Sequence, residues 1–465
     1  MSMYNIKRNI LKLTAIFFIL FAFFTAYVIY LQLIQSASHA HNPLDSRNSV
    51  LNDNIVRGAI YDNRGRILAK NGDDGARYYP FGEAMAFVTG YADKKIGTGG
   101  AESYFNQELS GKTKELTMMG PIGELLRNNQ GNDLILTVDS ECQQAAFDAL
   151  EGRRGAVVAL DATTGAILAL VSSPAYNPNR IVEEWSALNE GEDHPLLNRA
   201  INGLYPPGSI IKPMIVDMAL ENAVTDEHEL FTCGGFLDVG GGFSIKEAHD
   251  GVHGNLHLKD ALVESCNVTF GTLAIRLGAD NLEKGFKRYG FYEPIRGEIF
   301  ESASHIPEFK TLDKGDIAQI GIGQSMLLVT PIRMALIASS IANDGVMTEP
   351  YLLEKIISSK GIILNEHKKK ELSRVMTKER AGLLKNWMEE VVLSGTGKAA
   401  KVSGIRVAGK TGTAENSSDK EHSWFIGFAE LEKRKIAFAI LIENGGSGAD
   451  TAAPIARKLI LSFEK

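Results

Sequence analysis

The apolar positions of this chain form three kinds of pattern, and each predicts a different kind of element. From Leu13 to Leu31, nineteen residues rich in Phe, Ile and Leu run without a charge. A helix of that length crosses the hydrocarbon core of a bilayer, about 30 Å thick. Alternation takes over further on. Apolar residues flank an Asn63-Arg64-Gly65 turn between Arg57 and Ala69, which predicts a β-hairpin. Gly155 to Asp161 and Ala166 to Ser172 are apolar on both faces and are joined by Ala162, Thr163, Thr164 and Gly165, a turn sequence. Strands of that kind belong in the middle of a sheet covered on both sides. Trp424 to Glu430 and Ile436 to Glu443 predict two more adjacent strands. Helical spacing recurs after Asp139, a good N-cap, through Gln143, Ala146 and Leu150, and after Ser209 through Met214, Val216, Met218, Ala219 and Leu220. It returns in the tail that follows Glu443.

Polar stretches divide these patterns into segments. Residues 41–54 are polar and turn-rich, a linker leaving the apolar helix. Residues 78–130 are mixed, with glycines clustered from Gly97 to Gly100 and one short helical pattern from Glu102 to Leu109. The composition changes at Asp133, where a strand closing at Val138 starts a new core. Within that core an acidic stretch with Glu183, Glu184, Glu190, Glu192 and Asp193 reads as a loop. The expected division is a cytoplasmic tail and transmembrane anchor over residues 1–35, a small β-rich, non-catalytic pedestal over 36–132, and one larger domain over 133–465.

Composition narrows the function. The chain has 465 residues, 44% hydrophobic and 23% charged, the make-up of a globular protein of two or three domains. Its net charge of −7 leaves no basic excess to neutralise phosphates, so no nucleic-acid partner is expected. Three cysteines, Cys142, Cys233 and Cys266, are too few for a disulfide framework. Lys7, Arg8 and Lys12 precede the apolar run, which leaves the N-terminus in the cytoplasm and everything after Gln35 outside. A signal peptide cleaved near Ser38, His39 and Ala40 is the alternative. Its apolar region would run only about 7–15 residues, so an uncleaved single-pass anchor in the cell membrane is expected.

Candidate chemistry starts at Tyr205-Pro206-Pro207-Gly208-Ser209-Ile210-Ile211-Lys212-Pro213, where a Pro/Gly-rich loop runs into a helix. With a helix starting at Ser209, its hydroxyl and the Lys212 ammonium lie one turn apart on one face. A serine needs a proton acceptor about 3 Å away to act as a nucleophile, and a lysine serves when it is desolvated or beside another cation. Helix N-terminal N–H groups would face the negative charge that develops on a substrate. Taken alone, the same residues also describe an N-cap serine followed by a solvated lysine. Ser265-Cys266-Asn267 begins 56 residues after Ser209. Its hydroxyl can relay a proton to a leaving amine and its amide can bond a substrate carbonyl, although alone it reads as a polar helix end. Lys410-Thr411-Gly412-Thr413 follows 145 residues after Ser265. It supplies an ammonium, two hydroxyls and a glycine that admits a ligand to the backbone, a set suited to a substrate carboxylate. The Thr413 N–H can pair with that of Ser209 as an oxyanion hole; alone, the segment is a basic edge-strand turn.

S-x-x-K, S-x-N and K-T-G in that order are the motif set of class A β-lactamases and penicillin-binding proteins. On these residues the sequence resembles the class B penicillin-binding proteins, the monofunctional peptidoglycan D,D-transpeptidases. Similar blocks carry the resemblance over nearly the whole chain after the anchor: Arg57-Gly58 with Asp62 to Ala69, Gly155 to Pro178, Leu197 to Pro213, Gly321-Ile322-Gly323-Gln324 with Thr330-Pro331, Gly395-Thr396-Gly397, and His422 to Ala429. The resemblance implies an α/β (α+β) fold of the penicillin-binding/serine β-lactamase type. In it, a five-stranded antiparallel sheet has the first and last helices, the last at about Ala449 to Phe463, on one face and an all-helical subdomain on the other. It implies Ser209 as the acylated nucleophile, Lys212 as its base, Ser265 and Lys410 as proton carriers, and Asn267, Thr411, Gly412 and Thr413 as substrate contacts. The implied substrates are peptidoglycan stem peptides ending in D-alanyl-D-alanine, which β-lactam antibiotics mimic. No metal or organic cofactor is implied, and a SEDS-family glycan polymerase is the implied partner, met through anchor and pedestal.

Departures from the pattern are few. Gly321 to Ser325 ends in serine where many relatives carry glycine, and Gly100-Ala101-Glu102 replaces a more usual Gly-Leu-Glu. No glycosyltransferase block precedes the pedestal, and with about 50 residues after Thr413 no C-terminal accessory module is expected. A serine β-lactamase, a β-lactam sensor and a D,D-carboxypeptidase would share the motifs, and a scaffold that only positions a wall-synthesis partner is the non-enzymatic rival. An anchor with a pedestal disfavours the lactamase, the lack of a multi-span metalloprotease segment disfavours the sensor, and three intact motifs disfavour the scaffold. His249, His253 and His257, with Cys233 or Cys266, would make a zinc set if they lay on a helix. Gly251 and Gly254 argue against that helix, so a solvated loop and two unpaired thiols are expected.

Overall fold

The computed structural model describes residues 3–30, 55–73, 75–111, 130–248, 251–416 and 420–464. The linker at 41–54, the Ser38-His39-Ala40 segment and His249 lie outside them. The uncharged run forms one helix, Met3–Tyr30. Its stretch Ile10–Val28 is 19 residues long, apolar enough to cross a membrane, and unburied by the rest of the chain.

The hairpin expected between Arg57 and Ala69 forms from Ile60–Tyr61 and Ile67–Asn71. Its turn closes on the buried Asp62 carboxylate, which accepts the N–H groups of Arg64 and Arg66. The hairpin belongs to a six-stranded sheet in the order Ile363–Glu366, Leu353–Ile357, Asp133–Leu136, Ile60–Tyr61, Ile67–Asn71, Arg77–Tyr78. Strands from both sides of residue 132 therefore share one sheet, and two of them return to it from far along the chain.

The second sheet has five strands, all antiparallel: β1 (Gly155–Asp161), β2 (Ile167–Ser173), β3 (Arg406–Ala414), β4 (His422–Glu430) and β5 (Lys435–Ile442), in the order β3-β4-β5-β1-β2. Alternate residues of a strand face opposite sides. Ala156, Val158 and Leu160 of β1 enter the core shared with the helix Pro331–Ala342, on the side of the helical subdomain. Val157 and Ala159 enter the core shared with Ser140–Ala149 and the final helix, Ala452–Ser462. Asp139 caps the first of these helices by accepting the N–H groups of Glu141 and Cys142.

Two local expectations are corrected. β2 is buried throughout, yet it is an edge strand rather than a central one. Its outer edge is closed by Gln143, which accepts the Leu170 N–H at 2.7 Å and donates to Leu170 O at 2.8 Å. An edge covered in this way is as dry as an interior strand. The acidic stretch is a helix as far as Glu190, Ile181–Glu190, rather than a loop throughout; only Glu192 and Asp193 lie in the turn that follows it. Ile181, Trp185 and Leu188 form its inner face against Tyr91 and Tyr176, and three apolar residues among so many acids left a weak periodic signal.

Candidate active site

The nucleophile turn is shaped by its glycine. Gly208 has φ +58°, and a Cβ there would lie 2.7 Å from Thr413 O, so a side chain would push the turn off β3. Gly208–Ile211 is a 3-10 turn, and the α-helix Lys212–Glu221 begins at Lys212, three residues later than expected. Residues three apart in a 3-10 turn are eclipsed, which sets Ser209 and Lys212 on one side. Several bonds hold the turn in place. Trp424 Nε1 donates to Pro206 O at 3.0 Å, Gly208 N to Gly323 O at 2.8 Å, and the Tyr205 hydroxyl to Glu443 Oε1 at 2.7 Å. The same carboxylate oxygen accepts Nε of the fully buried Arg199 at 2.8 Å. Burial pushes the Glu443 carboxyl up, and the Tyr205 hydroxyl with Arg199 and Arg154 outweighs it, holding the group below its ordinary range.

Ser265 links the helices Leu258–Val263 and Asn267–Arg288 with φ +62°, a left-handed conformation uncommon for a residue with a side chain. Its hydroxyl lies between two amines, Lys410 Nζ at 2.8 Å and Lys212 Nζ at 3.2 Å. Lys212 also donates to Ser265 O at 2.6 Å and to Asn267 Oδ1 at 2.8 Å. Among the described residues no hydrogen bond joins Lys212 to the Ser209 hydroxyl; such contacts often tighten only with substrate in place. Both lysines are fully buried. Burial lowers the Lys212 ammonium to about 8, against an opposing pull from Glu247. Burial and then the neighbouring Lys212 drive Lys410 well below its ordinary value.

β3 is an edge strand and lies along the nucleophile turn. The Thr411 hydroxyl is 2.6 Å from that of Thr396. A Cβ on Gly412 would come within 2.8 Å of Ile210, and the exposed Thr413 accepts the Gly448 N–H at 3.3 Å. The Asn267 amide, expected to face substrate, already bonds Lys212 and donates to Lys246 O at 2.9 Å. The eight residues singled out by sequence thus meet in one place. Sequence reasoning missed Tyr205, Glu443 and Glu247 as supports. Glu247 accepts the N–H groups of Asn267 and Val268 at 2.9 and 2.8 Å, fixing the start of that helix, and nothing in its sequence surroundings marks it.

The family model of the penicillin binding protein transpeptidase domain matches residues 155–461, and that of the penicillin binding protein A dimerisation domain matches 57–133. The chain belongs to the penicillin-binding proteins. Peptidoglycan D,D-transpeptidase MrdA of Acinetobacter baumannii is 31% identical over 447 residues, covering 84% of this chain and 66% of its own. Peptidoglycan D,D-transpeptidase PbpA of Mycobacterium tuberculosis is 32% identical over 420 residues, 83% of each chain. The structure of penicillin-binding protein A from M. tuberculosis as a ceftriaxone acyl-enzyme complex matches with a TM-score of 0.82 at 30% identity, covering 89% of this chain and 99% of that one. The D,D-transpeptidase domain of a peptidoglycan glycosyltransferase from Eggerthella lenta gives 0.80 at 32% identity, covering 88% and 98%. This penicillin-binding protein spans just under two thirds of the Acinetobacter relative's length. The fold expected from the resemblance, sheet and flanking helices alike, is the fold of these neighbours.

Proposed function

We propose that this penicillin-binding protein is a membrane-anchored peptidoglycan D,D-transpeptidase with Ser209 as its nucleophile. The observation that carries the reading is the Ser265 hydroxyl between two buried amines, 2.8 Å from Lys410 and 3.2 Å from Lys212, beside the turn that bears Ser209. Two ammonium groups buried this closely do not both stay charged at neutral pH, so one amine is available to take a proton. Lys212 accepts the proton of the Ser209 hydroxyl as its oxygen attacks the carbonyl carbon of the D-alanyl-D-alanine bond. The oxyanion faces the N–H groups of Ser209 and Thr413. The C–N bond then breaks, and the departing D-alanine nitrogen takes a proton handed on by the Ser265 hydroxyl, which Lys212 and Lys410 replenish. The amine of a second stem peptide attacks the Ser209 ester, loses its proton along the same chain, and Ser209 regains its hydroxyl. Thr411, Gly412 and Thr413 receive the terminal carboxylate, and Asn267 positions the peptide. A β-lactam carbonyl enters in the same way, but its leaving nitrogen stays tethered and the ester persists.

Residues 1–35 serve as the anchor, 36–132 as the pedestal and 133–465 as the transpeptidase domain. Lys7, Arg8 and Lys12 keep the N-terminus in the cytoplasm, which puts the catalytic domain outside. The unburied apolar helix and the pedestal are the surfaces offered to a SEDS-family glycan polymerase, and co-purification from membranes tests that pairing. The acyl-enzyme neighbour and the relatives named as transpeptidases support the assignment of the reaction. Full-length protein in detergent, given a synthetic stem pentapeptide ending in D-alanyl-D-alanine and excess acceptor amine, should release D-alanine and form amide-linked product in equal amounts. D-Alanine without amide product would make the protein a D,D-carboxypeptidase, and neither product would remove the enzymatic reading.

A further inference from the structure

We propose that the β-hairpin Phe236–Lys246 is a platform for the sugar units of the glycan strand that carries the stem peptide, with Phe236 and Phe243 as its stacking surfaces. This rests on the D,D-transpeptidase reading above, under which the peptide arrives attached to sugars. The hairpin consists of two antiparallel strands, Phe236–Gly240 and Phe243–Lys246. Alternation gives it two faces. Leu237, Val239 and Ile245 turn inward onto Ile275, Ala318 and Ile322, so the core side is filled. Directly opposed residues share a face, and Phe236 with Lys246, Asp238 with Ser244 and Gly240 with Phe243 make up the other one. All six are exposed, Phe236 by 61% and Phe243 by 76%.

Single exposed apolar residues are ordinary on a protein surface, whereas two large rings on one narrow ribbon mark a contact face. The tip beside Phe243 is bare. Gly240, Gly241 and Gly242 have φ +95°, +65° and +82°. A Cβ on Gly240 or Gly242 would meet nothing within 4 Å, and one on Gly241 would meet the Phe243 ring alone. Asp238 and Ser244 lie between the two rings, and the Asp238 carboxylate is steadied by the Gly240 N–H at 2.8 Å. A pyranose has an apolar C–H face that stacks on the negative face of an aromatic ring, and a rim of hydroxyls that bond polar neighbours. An aromatic–polar–aromatic face offers both. A lipid surface would not call for Asp238 between the rings, and the reacting end of the peptide is received along β3.

The ribbon begins at the candidate active site. Lys246 O accepts Asn267 Nδ2 at 2.9 Å, and Asn267 Oδ1 accepts Lys212 Nζ at 2.8 Å. On its inner side the ribbon rests on Ile322, next to Gly323, whose carbonyl accepts the Gly208 N–H at 2.8 Å. From Lys246 to Phe243 the strand advances three residues, about 10 Å, while Phe236 stands opposite Lys246 itself. An extended pentapeptide spans at most about 17 Å. The sugar at the far end of a stem whose last peptide bond sits at Ser209 therefore falls within reach of both rings.

The probe is a stem-free tetrasaccharide of alternating N-acetylglucosamine and N-acetylmuramic acid, added to full-length protein in detergent. In saturation-transfer NMR the wild type should pass magnetisation to the ring C–H protons, and Phe236→Ala/Phe243→Ala should lose most of that transfer. Phe236→Tyr/Phe243→Tyr keeps the rings and should retain it. Acylation by benzylpenicillin, which carries no sugar, shows that each variant is folded. With D-alanine release as the readout, the wild type should use a disaccharide pentapeptide about fivefold or more better in kcat/KM than the free pentapeptide, the gain lying in KM. The alanine variant should lose that preference. Equal transfer to the sugars by the wild type and the folded alanine variant would overturn the proposal, as would no transfer by the wild type. Transfer to a free pentapeptide that the alanine variant loses, with none to the tetrasaccharide, would assign the face to peptide and overturn it too. No D-alanine release from either donor would remove the transpeptidase reading, while the NMR comparison, which needs no turnover, still decides the platform.

Discussion

Lys212 and Lys410 reach the Ser265 hydroxyl from two different elements, and burial keeps neither at its ordinary affinity for protons. A base works in its neutral form, so with Lys212 in the proposed role the rate of acylation should rise with pH as Lys212 loses its proton and level off above about 8. Because the two amines titrate together, that midpoint belongs to the pair. Acylation by a fluorescent penicillin, followed from roughly pH 6 to 9.5, should gain close to tenfold per pH unit below the midpoint. A profile that is flat or falls over that range contradicts the assignment of the base. Glu443 supports the site from further out, through Tyr205 and the fully buried Arg199. Glu443→Gln leaves Arg199 charged with a weakened partner, at a cost of about 3 kcal/mol. Calorimetry should record a melting temperature several degrees lower, and acylation should slow at least about tenfold because Tyr205 begins the nucleophile turn. Unchanged acylation in a folded variant would show that this anchor does not position Ser209. The residues legible in the sequence sit at short fixed spacings: Ser209 with Lys212, Ser265 with Asn267, Lys410 with Thr413. Glu443 and Glu247 escape that kind of reading because each stands alone at the end of a strand and acquires its role only when distant segments meet.

At the scale of elements, β2 illustrates what a pattern of apolar residues reports. It reports burial, and burial by neighbouring strands and burial by a side chain laid over an edge produce the same sequence. Gln143 is the side chain that closes this edge, and it also donates to Ala84 O at 2.7 Å. Gln143→Leu removes all of these bonds and strands the buried Leu170 N–H and C=O, which should cost about 2–3 kcal/mol. Thermal unfolding should register the loss, while acylation of the folded fraction keeps its rate; a variant as stable as wild type would contradict the role given to Gln143. The hairpin at 60–71, the strands β1, β4 and β5, and the N-terminal apolar helix were legible because each is one continuous run. The helix Ile181–Glu190 was not, since its inner face is only three residues wide. Leu353–Ile357 and Ile363–Glu366 carry no mark of the sheet they complete, because Leu353–Ile357 joins it through Asp133–Leu136, in the first third of the chain, and Ile363–Glu366, which pairs with Leu353–Ile357 alone, is exposed throughout.

Across the whole molecule, the six-stranded sheet and the five-stranded sheet are tied by specific polar contacts. Asn179 bonds both the N–H and the carbonyl of Tyr79, and Gln143 reaches Ala84. Between residues 57 and 102 the buried Glu102 holds Arg57 at 2.5 Å and Arg77 at 2.6 Å, with burial opposed by those two guanidinium groups so that its carboxyl stays below the ordinary range. The Ser209 turn lies along β3 of the five-stranded sheet. The central claim is that Ser209 is the residue acylated there. Intact-mass analysis of the full-length protein in detergent with benzylpenicillin, beside Ser209→Ala, addresses it most directly. A single drug adduct on the wild type, persisting for many minutes, and none on folded Ser209→Ala is the predicted result. An adduct on the variant, no adduct on folded wild type, or rapid hydrolysis of the drug without a lasting adduct would contradict it.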